Sequence, residues 1–75
     1  MSKLGRVSGK EAIEALERLG FIQARQRGSH VVLRKHTAEG DVGCVVPLHK
    51  ELAIGTLRGI LRQAQVSTEE FIKNL

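Results

Sequence analysis

The chain has 75 residues, with 12 Lys or Arg against 8 Asp or Glu and a formal net charge of +4. This length suits one domain, so we expect residues 1–75 to fold around a single small core. The lone cysteine excludes an internal disulfide and is typical of a reducing, cytosolic setting. The first residues lack the apolar core of a signal peptide, and no apolar run is long enough to span a bilayer. We therefore expect a cytoplasmic protein with no membrane partner.

Positive charge is concentrated in the first half of the chain. Residues 1–35 contain eight Lys or Arg and three Glu, whereas residues 36–75 contain four Lys or Arg and five acidic residues. A basic half favours a polyanionic partner, because its cations neutralise phosphates and release counterions. The charge alone also fits a solvated surface that binds no nucleic acid.

The hydrophobic pattern predicts one helix, then three strands, then two helices. A capping box at Ser8–Glu11, followed by apolar residues at helical spacing and by Gly20, predicts the first helix over about residues 9–19. Strands are predicted over 21–26, 30–35 and 42–47, separated by a turn at 28–29 and a polar connection over 36–41. We expect Thr56 to cap the second helix and a capping box at 67–70 to begin the short third helix.

This order of elements predicts an α+β fold, an α-β-β-β-α sandwich in which the helices pack on one face of a three-stranded antiparallel sheet. Alternation along the second strand places His30 on the same face as Val32 and Arg34, and places the odd-numbered residues on the other face. Both faces contain apolar residues. Periodicity therefore leaves open which face His30 occupies.

His30 is the strongest candidate for chemistry, because histidine can exchange a proton near neutral pH. RNA can be cut without a metal if a base removes the 2′-OH proton and cations stabilise the charge that develops at the phosphate. Cations suited to that second role are neighbours in the sequence: Arg25, Arg27, Arg34 and Lys35. The alternative is a structural histidine at the end of a hairpin, satisfied by a backbone carbonyl.

Other side chains offer weaker cases. Ser29 is adjacent to His30 and would point to the opposite face, so a turn role is favoured over that of a nucleophile. His36 is expected in an exposed connection, and His49 is the best candidate for a second functional histidine. Cys44 is expected to be a buried hydrophobe, and the spacing of these residues does not match a zinc site, so no metal is expected. Both phenylalanines are expected in the core, which leaves no Phe, Tyr or Trp for stacking on bases.

Taken together, the motifs resemble those of the HicA family, the mRNA interferase toxins of bacterial and archaeal type II toxin–antitoxin pairs. The resemblance extends from about Ser8 to the C-terminus. It rests on an ordered series of matches: Ser8-Gly9-Lys10-Glu11, Gly20-Phe21, Gly28-Ser29-His30, Pro47 with His49, Gly55-Thr56-Leu57-Arg58-Gly59-Ile60-Leu61, and Ser67 through Phe71. The chain departs from the family pattern at Gln65, where a glycine usually ends the long helix, and at Ala53-Ile54, where a more polar pair is common.

The resemblance implies a fold like that of the double-stranded-RNA-binding domain. It places the family's catalytic histidine on His30. It also implies cleavage of mRNA without a cofactor, and a HicB-type antitoxin as the partner that covers the active face.

We therefore predict a toxin that is an endoribonuclease, with His30 as general base or acid. Contacts to the RNA phosphates are predicted at five basic residues: Lys10, Arg25, Arg27, Arg34 and Lys35. Two alternatives stay open at this point. One is a non-catalytic RNA-binding module that uses the same basic surface, and the other is a domain that only binds protein.

Overall fold

Three helices and a three-stranded antiparallel sheet form residues 5–75, the part of the chain that the computed structural model describes. The elements in chain order are α1 (Gly9–Arg18), β1 (Ile22–Arg27), β2 (His30–Thr37), β3 (Gly40–Pro47), α2 (Ile54–Ala64) and α3 (Thr68–Lys73). This order and the antiparallel pairing confirm the predicted α+β architecture. Within residues 5–75, no helix is both long and apolar enough to cross a membrane.

The first and third helices begin where side-chain caps predict. Ser8 Oγ accepts a hydrogen bond from the Glu11 amide at 3.0 Å, and the Glu11 carboxylate accepts one from the Ser8 amide at 2.9 Å, which completes the capping box of α1. Ser67 Oγ accepts from the Glu70 amide at 3.1 Å at the start of α3. These short-range hydrogen bonds satisfy amides that a helix leaves without backbone partners.

The second helix begins earlier than its sequence predicts. Thr56 is not its cap: α2 begins at Ile54, after Ala53, which makes no side-chain cap hydrogen bond. At the other end Gln65 takes a φ of 58° in the left-handed region, where a glycine carries no steric cost. The helix therefore ends in the left-handed backbone conformation that is usual at this position, although it lacks the glycine that favours this conformation.

The strand order in the sheet is β1-β2-β3, so β2 is the central strand. The polar connection predicted over 36–41 is shorter than expected, because β2 runs to Thr37 and β3 starts at Gly40. His36 consequently lies opposite Asp41 within the ladder rather than in a loop. On the other side, a register shift between Gln23 and Arg25 marks a bulge in β1.

All three helices contribute to one core on a single face of the sheet. The odd-numbered residues of β2 face this core, with Val31 and Leu33 only 2% and 0% exposed. They are joined by side chains from β3 and from every helix, including Leu16, Cys44, Val46, Leu57, Leu61 and Phe71. The even-numbered residues of β2 must therefore face away from the core. This decides which face His30 occupies, which periodicity leaves open.

Because Cys44 is buried, the fold is expected to lose stability as the pH rises into the alkaline range. Burial raises the pKa of this thiol from its ordinary value of 9.0 to about 11, so the unfolded chain ionises first as the pH rises. The associated stability is present in full below pH 9 and is lost as the pH rises from 9 to 11, by at most about 3 kcal/mol. Urea denaturation across that window will measure the loss.

The matched control for this prediction is Cys44→Ala, which lacks the ionisable group. The variant is expected to start from a lower stability because it leaves a small cavity. It should nevertheless show a shallower decline between pH 9 and 11 than the parent. Parallel declines in the two proteins would contradict the assignment to Cys44.

Candidate functional site on the open face of the sheet

The sheet face away from the helices is uncovered in this structure, and we call it the open face. Residues paired directly across antiparallel strands point to the same side, so the pairing register defines its members. They are Ile22, Arg25 and Arg27 from β1, His30, Val32, Arg34 and His36 from β2, and Asp41, Gly43 and Val45 from β3. The open face therefore combines cations, two histidines and a few exposed apolar side chains.

His30 is the first residue of the central strand and lies on the open face. The two-residue turn before it contains Gly28 at a φ of 56°, a left-handed conformation that suits glycine at this position of a tight hairpin. Arg27 is its partner on β1 and Pro47 its partner on β3. The imidazole is exposed, and among residues 5–75 it makes no hydrogen bond. The structural-histidine alternative, a ring held by a backbone carbonyl, is therefore not what is observed.

Three of the predicted cations share a cleft with His30. Its volume is about 370 Å³, and its lining includes Arg25, Arg27 and Arg34 together with apolar side chains from each strand. Among the residues described, no salt bridge neutralises any of these arginines. Guanidinium groups bind phosphate through paired hydrogen bonds, so the cleft offers an anion both charge and directed donors beside an imidazole.

The other two predicted cations lie elsewhere. Lys35 is on the opposite side of β2, where its Nζ is 5.8 Å from the centre of the Phe21 ring. Lys10 lies on α1 beside a groove between that helix and β1, together with Gln23 and Gln26. The structure therefore brings three of the five basic residues to His30 and places two on the helix side of the sheet.

The chain segment after β3 supports the turn that presents His30. The Leu48 amide donates to the Ser29 carbonyl at 2.7 Å, and the Gly9 amide donates to the His49 carbonyl at 2.9 Å. A Cβ on Gly9 would overlap the carbonyl oxygen of Pro47. The start of α1, the end of β3 and the β1–β2 turn are thus in close backbone contact, and Ser29 serves there through its carbonyl, as part of a turn.

A second histidine, His36, lies on the open face within the β2–β3 ladder, and not in the loop that the polar residues around it predict. His36 Nδ1 lies 2.5 Å from Asp41 Oδ1 across the β2–β3 ladder, and the imidazole side chain is 88% exposed. The sequence pattern that could have predicted this position is the alternation of side chains along β2, which continues from Arg34 to His36 on the same face. Gly40 then marks the end of a short turn. Within residues 5–75, no three His, Cys, Asp or Glu side chains group as metal ligands.

Comparison with known proteins places the chain in a family. A search of curated proteins gives no significant match. The family model described as the HicA toxin of bacterial toxin-antitoxin matches residues 9–66. The matched region extends from the first residue of α1 to just beyond α2 and includes the whole sheet with His30. The chain therefore belongs to the HicA toxin family of bacterial toxin–antitoxin systems.

Proposed function

We propose that this toxin is an endoribonuclease that cleaves mRNA, with His30 as its general acid and base and without a metal cofactor. The observation that carries the proposal is the cleft on the open face, where an exposed, unrestrained imidazole lies among Arg25, Arg27 and Arg34. Among the residues described, no salt bridge neutralises any of these three arginines. This combination is what metal-free cleavage of a phosphodiester requires.

The proposed reaction begins with the 2′-hydroxyl of the nucleotide at the cleavage site. The His30 imidazole accepts its proton while the 2′-oxygen forms a bond to phosphorus and the bond from phosphorus to the 5′-oxygen breaks. The departing 5′-oxygen takes up a proton, either from protonated His30 or from water. The products are a 2′,3′-cyclic phosphate and a 5′-hydroxyl, and the arginines stabilise the extra negative charge on the phosphate oxygens.

The antitoxin is proposed to bind the same face. Ile22 and Val45 are 62% and 42% exposed there and lie among the arginines. An apolar centre with charged surroundings is the usual composition of a protein–protein interface. A HicB-type partner with an acidic, partly apolar surface would cover His30 and exclude RNA at the same time.

The alternative is a non-catalytic RNA-binding module. It uses the same arginines, because phosphate contacts supply affinity whether or not a bond is cut. The two functions differ only at His30, which a binding module does not need as an acid or base. Cleavage chemistry therefore separates them more sharply than affinity does.

A substrate lacking the attacking hydroxyl tests the proposed chemistry directly. We expect an RNA oligonucleotide with a single 2′-deoxy nucleotide at the cleavage site to bind normally and to resist cleavage at that site, because it has no 2′-oxygen. Gel analysis of end-labelled RNA, with mass spectrometry of the products, will measure both cleavage and the phosphate end. Unimpaired cutting of the deoxy substrate would exclude attack by the 2′-OH.

The same assay includes two controls. An oligonucleotide with a 2′-deoxy nucleotide away from the cleavage site should be cut at the parent rate, which shows that the effect is local. Addition of EDTA should leave the rate unchanged, whereas a loss of cleavage that Mg²⁺ restores would contradict a metal-free mechanism.

A further inference from the structure

The pair His36–Asp41 occupies the end of the open face that is farthest from His30. Both histidines are on β2 and six residues apart, which corresponds to about 20 Å along a strand. Asp41 lies opposite His36 in the register and accepts its hydrogen bond at 2.5 Å. This distance is too great for His36 to act on the phosphate whose cleavage His30 would catalyse, so we consider a different role for it.

Two adjoining clefts extend from His30 to Asp41, the hydrogen-bond partner of His36. The cleft around His30 shares Val32, Arg34 and Val45 with a second cleft of about 490 Å³ that reaches Asp41 and the free edge of β3. An extended strand that lies along β2 would pass Arg34 and then meet the imidazole of His36. The two clefts therefore extend from the proposed cleavage site as far as Asp41, beside the second histidine.

Charge argues against a phosphate at this second position. The Asp41 carboxylate offsets a positive charge on His36 when the ring is protonated, and leaves a net negative charge when it is neutral. Two of the cations that attract phosphate, Arg25 and Arg27, lie at the His30 end of the open face, and Arg34 lies between the two histidines. The His36 end of the open face suits an uncharged part of a nucleotide.

The shape of the side chain suits a nucleobase. The chain has no Trp or Tyr, and its two phenylalanines, Phe21 and Phe71, are buried in the core. The histidines are therefore the planar aromatic rings that the open face can present, and bases of single-stranded RNA stack on histidine as on other aromatic side chains. The hydrogen bond to Asp41 fixes one edge of the ring, which lowers the entropy lost when a base stacks on it.

From these observations we propose that His36 is a stacking platform for a nucleobase of single-stranded RNA, several nucleotides along the strand from the cleavage site. Asp41 is its positioning residue. This inference rests on the proposed function, because it assumes that RNA lies on the open face. It adds a subsite that sets how long a substrate must be to bind well.

Three substitutions of His36 separate a stacking ring from a structural cross-strand pair. His36→Phe keeps a planar ring and removes the hydrogen bond to Asp41. His36→Gln keeps a group that can donate to Asp41 and removes the ring, and His36→Ala removes both. Stacking predicts that the Phe variant binds RNA like the parent and that the Gln and Ala variants bind about five- to tenfold more weakly. A purely structural pair predicts the opposite order for Phe and Gln.

Affinity should be measured by fluorescence anisotropy with a mixed-sequence single-stranded RNA over a series of salt concentrations. His30→Ala should be the background for every protein, so that the RNA is not cut. A stacking contact contributes affinity without releasing counterions, so His36→Ala should leave the slope of log K against log salt unchanged. Arg34→Ala, which removes a proposed phosphate contact, should lower the slope by about 1 and provides the comparison.

The outcomes distinguish this inference from the function on which it rests. The stacking role is overturned if His36→Ala binds RNA as tightly as the His30→Ala background. It is also overturned if His36→Phe binds RNA more weakly than His36→Gln. Either result leaves the endoribonuclease proposal intact. A smaller salt slope in His36→Ala also overturns the stacking role, because that result assigns the ring to a phosphate. Failure of the parent background to bind RNA overturns both proposals.

Discussion

Replacing His30 with alanine is expected to reduce the rate of RNA cleavage by about 10²–10⁴-fold, the usual contribution of a positioned acid or base. RNA affinity should change little, because Arg25, Arg27 and Arg34 remain in the cleft. Thermal stability should also be retained, since the ring is exposed and makes no hydrogen bond within residues 5–75. Cleavage assays, binding assays and thermal melts of the same preparations will measure the three quantities.

Two comparisons make this experiment decisive. His30→Gln keeps a polar side chain that cannot act as an acid or base near neutral pH, so it should be as inactive as the alanine variant. Expression in cells should slow growth for the parent and not for either variant. Full cleavage by His30→Ala would refute the catalytic role, and absence of cleavage by a soluble, folded parent would favour the binding module.

Gly9→Ala is expected to destabilise the fold by about 3 kcal/mol, near the upper end of the cost of overpacking. The added Cβ would overlap the Pro47 carbonyl oxygen and crowd Leu48, and both are backbone atoms that no rotamer change can move aside. A domain of this size has modest stability, so such a loss should lower the melting temperature by more than about 10 °C. Calorimetry or circular dichroism will measure the shift.

Gly59→Ala is the matched control, because it makes the same substitution inside a helix. A Cβ at Gly59 meets no atom within 4 Å, so the variant should gain about 0.5–1 kcal/mol from the better helix propensity of alanine. The two variants should thus shift the melting temperature in opposite directions. Similar melting temperatures for Gly9→Ala and the parent would contradict the close backbone approach.

The parts of the fold that are predictable from the sequence are those set by short-range interactions. The capping box at Ser8 and the side-chain cap at Ser67 locate the starts of α1 and α3, because the hydrogen bonds involved span only three residues. The start of α2 has no such signal: Ala53 provides no side-chain cap, and the helix is positioned by burial of Leu57 and its neighbours against β3. Its first residue therefore depends on tertiary packing.

The sequence of β2 alone does not predict which residues share a face of the sheet with His30 and lie exposed there. Both sides of β2 carry apolar residues, so the face that His30 occupies was decided by the helices that cover Val31 and Leu33. The same choice of face brought Arg34 to His30 and separated Lys35 from it. The polar residues over 36–41 are typical of a loop, yet the strands pair as far as Thr37 and Gly40, which places His36 in the ladder.

The position of His30 on the central strand has a consequence for how such a toxin is controlled. Residues of β2 are hydrogen-bonded on both sides, to β1 and to β3, so their backbone opens only when most of the sheet opens. A site on such a strand is assembled whenever the chain is folded, so local unfolding of the strand does not provide an inactive state. Under the proposed function, silencing would come from occupancy of the open face, and removal of the occupant would restore activity without any refolding step.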